Sequence, residues 1–280
     1  MSTPESVDVK QAPGHFDWTL GNKIRDGRFG PVFTALRTDT AELITAEKIV
    51  LDEPGTLSVS TDRVVSHLQS KQVYPGQPNV VSYLGYQLKE GHVYMLAEYS
   101  AGGTLRDFVQ RYGAIPQPLA CAVLRQTVLG LEQLQAQGFA VVFPDAKNVL
   151  MDNKGGVKIE APLLDMTLTG QPLPPAISTL PELILGQQDM QKADVWLLGI
   201  IAAQLLTGDC SIAEASSAST VAAQIKQAQG SVWELPVSPD VASKLDEQAS
   251  DFLRQCLTFD INQRASISDL KEHPFLSVKQ

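Results

Sequence analysis

The sequence lacks features that are typical of secreted proteins, membrane-spanning proteins and proteins with structural metal sites. Its 280 residues include three cysteines, Cys121, Cys210 and Cys256. This odd, widely spaced set offers no disulfide framework and no metal-ligand spacing, and it is typical of a reducing compartment. The longest apolar run, Val195–Leu206, is too short to span a bilayer and predicts a buried helix. Since the N-terminus also lacks the apolar core of a signal peptide, we predict a cytoplasmic protein with no membrane partner.

Positive charge is scarce as well. The chain has 22 Lys and Arg residues against 31 Asp and Glu residues, a net charge of −9. Nucleic acids and anionic membranes attract cationic surfaces, so this balance argues against both as partners. With 44% hydrophobic residues over this length, the chain can bury one large core or two small ones.

The pattern along the chain changes from strands to helices. Residues 1–15 are rich in Ser, Pro and charge and are predicted to be disordered. The next eighty residues contain one predicted helix, Asp62–Lys71, and mostly strand patterns, which include Leu43–Val50, Val80–Leu84 and Val93–Ala97. The predicted helices that follow are Pro118–Gln137, Lys192–Leu206 and Val241–Leu257. This order predicts an α+β fold with a small β-rich N-terminal lobe and a larger helical C-terminal lobe.

Several short motifs, in a fixed order, are more specific than the pattern of elements. They are Gly27-Arg-Phe-Gly30-Pro-Val32, Ala46-Glu-Lys48, Pro78–Gly85, Met95–Leu105, Gly138–Asp152, Val157–Leu163, Leu180-Pro-Glu182, Ala193–Gly199, Asp251–Asp260, Arg264 and His273–Leu276. In sequence and order they resemble the motifs of eukaryotic protein kinases, and the hinge and C-terminal motifs are most similar to the MAP kinase kinase kinase (Ste-type) branch. The resemblance implies a bilobal kinase-like domain over residues 16–280, with an N-lobe at about 16–97, a hinge at 98–103 and a C-lobe at about 104–280.

The resemblance also assigns residues to a nucleotide site and to structural contacts. The residual nucleotide-binding set is Gly27, Gly30, Val32, Ala46, Lys48, Glu98, Ser100, Asn148 and Leu150. Ala46 and Lys48 face one side of a strand, so Ala46 can cover the adenine while Lys48 reaches the phosphates. The alternative is that Lys48 pairs with a carboxylate or extends into water. The predicted structural residues are Glu182, Asp194 and Arg264, of which the first and the last match a buried ion pair of the family.

At two positions, the chain lacks the carboxylates that carry out phosphate transfer in the family that it resembles. Phe143 stands where the family has the catalytic Asp, and it has no lone pair to accept a proton from the substrate hydroxyl. Ala161 stands where the family has a magnesium-binding Asp, and Asn148 alone is a poor site for Mg²⁺. We therefore predict a pseudokinase that is not an enzyme, with no catalytic residue, no metal site and no required cofactor. Any ATP is predicted to bind without Mg²⁺.

The predicted function is a scaffold or an allosteric regulator of an active protein kinase in a signalling cascade. Two alternatives stay open. One is a metal-independent ATP-binding switch. The other is a weakly active, atypical Ser/Thr kinase that uses Asp145 and Asp165, which requires an insertion and a deletion within a tight loop.

Overall fold

The computed structural model describes eight stretches of the chain, and they belong to two units. The stretches are 16–50, 61–70, 77–139, 146–161, 163, 180–182, 189–210 and 245–277. The N-terminal unit contains the described residues up to 70, residues 82–99 and Leu163, and the C-terminal unit contains the others. The segment 1–15, predicted to be disordered, lies outside the described residues.

A five-stranded antiparallel sheet forms the N-terminal unit, with the strand order β1-β2-β3-β5-β4. The strands are β1 (Trp18–Asp26), β2 (Pro31–Arg37), β3 (Leu43–Lys48), β4 (Tyr83–Lys89) and β5 (His92–Glu98), and the helix α1 spans Thr61–Ser70. A two-residue turn joins β4 to β5, and its residues Glu90 and Gly91 have φ angles of 51° and 77°. Such left-handed backbone is what a type I′ hairpin requires, and glycine provides it without strain.

One face of this sheet forms an apolar core. Its members are Phe16, Trp18, Ala35, Ile44, Ala46, Tyr94 and Leu96. The edge of the Trp18 ring meets the Tyr94 ring, with centroids 5.3 Å apart. The core therefore joins the first, second, third and fifth strands across the sheet.

The C-terminal unit combines a small sheet with a helical core. Its sheet has the order β6-β7-β8, and its strands are β6 (Gly103–Thr104), β7 (Val149–Met151) and β8 (Val157–Ile159). The helices are α2 (Leu105–Tyr112), α3 (Gln117–Gln135), α4 (Met190–Thr207), α5 (Glu247–Cys256) and α6 (Ile267–Lys271), with 3₁₀ turns at Ala146–Asn148 and Pro274–Leu276.

Helix α4 lies at the centre of this unit and is buried from Ala193 to Leu206. Its first turn is capped by Asp189, whose carboxylate accepts hydrogen bonds from the N–H groups of Gln191 and Lys192. Gly208 ends the helix with φ 75°. A Cβ on Gly199 would lie 2.7 Å from Cβ of Cys256, so glycine allows α4 to approach α5 closely.

The predicted α+β division is confirmed, and two elements begin three residues or more after their predicted starts. Helix α5 begins at Glu247, because the Asp246 side chain caps its N-terminus, and residues 241–244 of the predicted helix lie outside the described residues. Strand β4 begins at Tyr83 and not at Val80. Val80 instead forms a parallel bridge with Ile159 in the C-terminal unit.

Candidate active site

The loop between β1 and β2, residues 27–30, folds back against β3. The Gly27 N–H donates to the Gly30 carbonyl at 2.8 Å, and the Phe29 N–H donates to Glu47 Oε1 at 2.6 Å. A Cβ on Gly27 would lie 2.3 Å from that carboxylate oxygen, and a Cβ on Gly30 would lie 2.1 Å from the Lys48 carbonyl. The close approach of the β3 backbone therefore requires glycine at position 30, whereas at position 27 the Glu47 and Val32 side chains occupy the space that a side chain would take.

The pairing of β2 with β3 decides which side chains of β3 face this loop. Val32 pairs with Glu47, and directly paired residues of antiparallel strands share a face. Since side chains alternate along a strand, Ala46 and Lys48 lie on the opposite face. There Ala46 is a member of the apolar core of the unit.

This register separates members of the predicted nucleotide-binding set. The structure does not bring Val32 and Ala46 to one face, and it places Lys48 on the face away from Val32. The physical reason is that a one-residue difference in pairing reverses the face of every side chain in a strand. Glu47 is the residue that the motifs missed, although an acidic residue between Ala46 and Lys48 is visible in the sequence.

Around the predicted hinge, the Glu98 side chain has a structural contact. Its carboxylate accepts a hydrogen bond from the Ser82 N–H at 2.7 Å, and its own N–H donates to the Ser82 carbonyl at 3.0 Å. Ser100, in the C-terminal unit, accepts a hydrogen bond from the Gly103 N–H through its carbonyl. Both residues therefore support local backbone at the positions where the sequence predicts a hinge.

In the C-terminal unit, Asn148 and Glu160 lie side by side at the end of the β7–β8 hairpin. The Asn148 Nδ2 donates to Glu160 Oε2 at 3.1 Å, and the Glu160 N–H donates to the Asn148 carbonyl at 2.9 Å. Asn148 is buried and Glu160 is half-buried. The next residue, Ala161, has no oxygen in its side chain. Leu150, a predicted nucleotide-binding residue, is buried in β7.

Glu160 is the second functional candidate that the motifs missed. The sequence signal is its place beside Ala161, the position at which the resemblance expects a carboxylate. Because β7 and β8 pair Val149 with Ile159, the residues that flank this pair, Asn148 and Glu160, are brought together. A carboxylate thus lies next to Asn148, one residue before the position at which the family has its carboxylate.

The residues that decide the catalytic loop and the activation segment lie outside the described residues. They are Phe143, Asp145 and Asp165. Their predicted roles therefore rest on the sequence.

The three predicted structural residues lie in the C-terminal unit. The Glu182 and Arg264 side chains form a salt bridge and are fully buried. Arg264 Nε also donates to the Thr258 carbonyl at 2.9 Å. Burial lowers the pKa of the Arg264 guanidinium, and the Glu182 carboxylate opposes this shift. Asp194 is fully buried in α4 and accepts a hydrogen bond from Gln135 Nε2 at 3.1 Å.

Within the described residues, neither a cluster of metal-ligating side chains nor a membrane-spanning helix is present. No group of three or more His, Cys, Asp or Glu side chains there could hold a metal ion. None of the described helices combines the length and the hydropathy of a membrane span.

Comparison with known proteins identifies the family. The family model of the protein kinase domain matches residues 18–276. The chain belongs to the protein kinase family. This match covers both units and every motif from which the resemblance was inferred.

The curated relatives of this kinase chain include MAP kinase kinase kinases. The mitogen-activated protein kinase kinase kinase MST11 of Pyricularia oryzae is 28% identical over 93% of this chain and 30% of its own length. The mitogen-activated protein kinase kinase kinase ANP1 of Arabidopsis thaliana is 28% identical over 99% of this chain and 42% of its own length. The chain thus spans less than half the length of these relatives.

A solved structure shows the same fold. The structure of Rad53 residues 1–466 in complex with AMP-PNP matches with a TM-score of 0.73 and 21% identity, over 93% of this chain and 66% of that one. This likeness confirms the protein kinase fold that the sequence predicts.

The comparisons correct two predictions. The prediction of a catalytically inactive scaffold that is not an enzyme is wrong, because the relatives are named as MAP kinase kinase kinases, which are enzymes. The prediction that ATP is optional and binds without Mg²⁺ is also wrong, because protein kinases use ATP with Mg²⁺. Both predictions rested on the residues Phe143 and Ala161 at the positions where the family has Asp, and they gave less weight to the alternative that uses Asp145 and Asp165.

Proposed function

We propose that this chain is a protein serine/threonine kinase domain that transfers the γ-phosphate of ATP to a downstream protein kinase. The observation that carries the proposal is the match to the protein kinase domain across residues 18–276. The relatives named as MAP kinase kinase kinases support a protein kinase as the substrate. The partner, the cytoplasmic localisation and the domain boundaries of 16–280, with the hinge at 98–103, are parts of this proposal.

Two residues beside β7 and β8 fit a part of a magnesium site whose other ligands would come from the nucleotide and water. Mg²⁺ prefers carboxylate and other oxygen ligands. Asn148 Oδ1 and the Glu160 carboxylate provide oxygens of this kind on two side chains that are 3.1 Å apart at Nδ2 and Oε2. Asn148 and Glu160 are therefore the residues that would hold the metal. When bound, Mg²⁺ neutralises charge on the β- and γ-phosphates.

Two further carboxylates complete the proposed chemistry. Asp145, three residues before Asn148, would accept the proton of the substrate hydroxyl, and Asp165 would add a second charge near the phosphates. These assignments follow the alternative that the sequence left open. They require an insertion and a deletion relative to the alignment that places Phe143 and Ala161 where the family has Asp.

The nucleotide-binding set is proposed in part. Gly27, Gly30, Val32, Glu98, Ser100, Asn148 and Leu150 are kept as candidates. The roles of Ala46 and Lys48 stay predictions that the register of β3 does not favour, because both lie on the face opposite to Val32.

A phosphate-transfer assay tests the proposal. The purified chain is incubated with γ-labelled ATP, Mg²⁺ and a kinase-inactive MAP kinase kinase as acceptor, and the label on Ser and Thr is measured. We expect transfer that is lost in EDTA and falls by about 10²–10⁴ in Asp145→Asn. The matched control is Asp17→Asn, an exposed carboxylate in the N-terminal unit, which should transfer normally. Absence of transfer by the wild-type chain would contradict the proposal.

A further inference from the structure

The contact between Phe29 and Glu47 joins an acidic side chain to the loop of residues 27–30. The Phe29 N–H donates to Glu47 Oε1 at 2.6 Å, which is short for a hydrogen bond from N–H to oxygen and typical of a charged acceptor. Phe29 itself is 2% exposed. The loop is thus closed over a carboxylate that belongs to the neighbouring strand.

The absence of a side chain at Gly27 makes this closure possible. A Cβ there would lie 2.3 Å from Glu47 Oε1 and 2.6 Å from Cγ2 of Val32. The two neighbouring atoms come from the paired residues Val32 and Glu47, which share a face of the sheet. The closed loop therefore depends on the joint packing of Gly27, Val32 and Glu47.

Backbone N–H groups of a glycine-containing loop attract anions, because their dipoles point outward together. A carboxylate and a phosphate oxygen compete for the same N–H, since each N–H has one proton to donate. Their negative charges also repel each other more strongly in a partly buried site than in water. Glu47 thus occupies a position that an anionic ligand of this loop would need.

We propose that Glu47 is an internal anion that holds the loop of residues 27–30 closed, and that the phosphates of a nucleotide compete with it. Glu47 is then a positioning residue, because it acts through the Phe29 N–H. The inference rests on the proposed use of ATP and adds a residue that sets the affinity for its phosphate groups.

Titration calorimetry with two ligands tests the proposal. ATP with Mg²⁺ carries the phosphates, and adenosine carries the same base and ribose without them. Removal of the carboxylate in Glu47→Ala should raise the affinity for ATP about 10- to 100-fold, the range of a hydrogen bond to a charged group. Glu47→Gln should show a smaller gain, because its amide oxygen still accepts the N–H while the charge is gone. Adenosine should bind the wild-type chain and both variants equally.

Glu42→Gln is the matched control, because Glu42 is an exposed carboxylate in the same unit that pairs with Arg37. Its affinity for ATP should equal that of the wild type. Equal gains for ATP and adenosine in the Glu47 variants would overturn the proposal, since they would indicate general loosening. Unchanged or weaker binding of ATP would also overturn it. Should Glu47→Ala fail to fold, the isosteric Glu47→Gln decides.

This binding experiment is separate from the transfer assay. A gain in ATP affinity without phosphate transfer would support the inference about Glu47 and contradict the proposed kinase activity. Phosphate transfer by the wild-type chain, together with an ATP affinity that is unchanged in the Glu47 variants, would support the proposed kinase activity and contradict the inference about Glu47.

Discussion

Two glutamates, one in each unit, accept hydrogen bonds from residues that are distant in sequence, and their surroundings differ. Glu182 meets the guanidinium of Arg264, and both side chains are fully buried. Glu47 meets an uncharged backbone N–H and is half-buried. Removal of Arg264 would leave the Glu182 charge buried without a partner, whereas water can solvate Glu47 when its contact with Phe29 is broken. The first contact therefore fixes the fold, and the second can open.

The largest expected effect tests the fixed contact. Arg264→Ala should destabilise the chain by about 3–5 kcal/mol, because Glu182 would stay buried without its partner. The loss is measured by chemical unfolding or as a fall in the melting temperature. Arg254→Ala is the control, because Arg254 is exposed, with 59% of its side-chain surface accessible, and pairs with Asp251. It should cost less than about 1 kcal/mol. Equal costs for both variants would show that burial does not distinguish the two contacts.

A second prediction concerns the proposed metal ligands. Glu160→Gln keeps the acceptor for Asn148 and removes the charge, so the affinity for ATP should fall about 10- to 100-fold with Mg²⁺ and should not fall in EDTA. Calorimetry in the two buffers measures the difference. Lys158→Gln, in the adjoining strand β8, is the control. A fall of equal size in EDTA would remove Glu160 from the proposed metal site.

The third prediction sharpens the description of the closed loop. Gly27→Ala adds a methyl group against Glu47 and Val32, and overpacking of this kind costs about 1–3 kcal/mol. Glu47→Ala removes one of the two side chains that this methyl group would meet. The double variant should therefore lose less unfolding free energy than the sum of the losses in the two single variants. A double-mutant cycle measured by unfolding gives this coupling. Strict additivity would show that the two positions do not touch.

The smallest expected effect depends on pH. A hydrogen bond from His273 lowers the pKa of the Asp251 carboxyl in the folded chain. A lowered folded-state pKa gives stability that is present above the unfolded-state pKa and is lost as the pH falls through the folded value. Because Asp251 is 43% exposed, the contribution should be at most about 1 kcal/mol. Urea unfolding of the wild type and Asp251→Asn should differ at pH 7 and converge in acid. A difference that persists in acid would exclude this origin.

Much of the fold could be predicted from the sequence, because its signals are local. The apolar residues of α4 indicate a central helix, and Glu182 and Arg264 match a buried ion pair of the family. The order of the kinase motifs then predicts two lobes. Each of these signals lies within a short segment and needs no knowledge of distant contacts.

The candidate site could be predicted only in part, because its contacts depend on strand register. Whether Glu47 or Lys48 shares a face with Val32 is decided by the pairing of β2 with β3. Two register shifts in the neighbouring β1–β2 pair add to this ambiguity. The contact of Glu160 with Asn148 likewise depends on the pairing of β7 with β8. Motif spacing alone does not contain this information.

Hydrogen exchange of backbone amides compares the two glutamates most directly. Exchange is measured for Phe29 and Arg264 in the wild type and in Glu47→Gln, before and after addition of ATP with Mg²⁺. Without nucleotide, we expect Phe29 to exchange faster in the variant than in the wild type, while Arg264 is equally protected in both. ATP at one subsaturating concentration should restore more protection to Phe29 in the variant. Equal exchange of Phe29 in the two proteins, or equal protection by ATP, would contradict the claim that Glu47 holds the loop closed against phosphate.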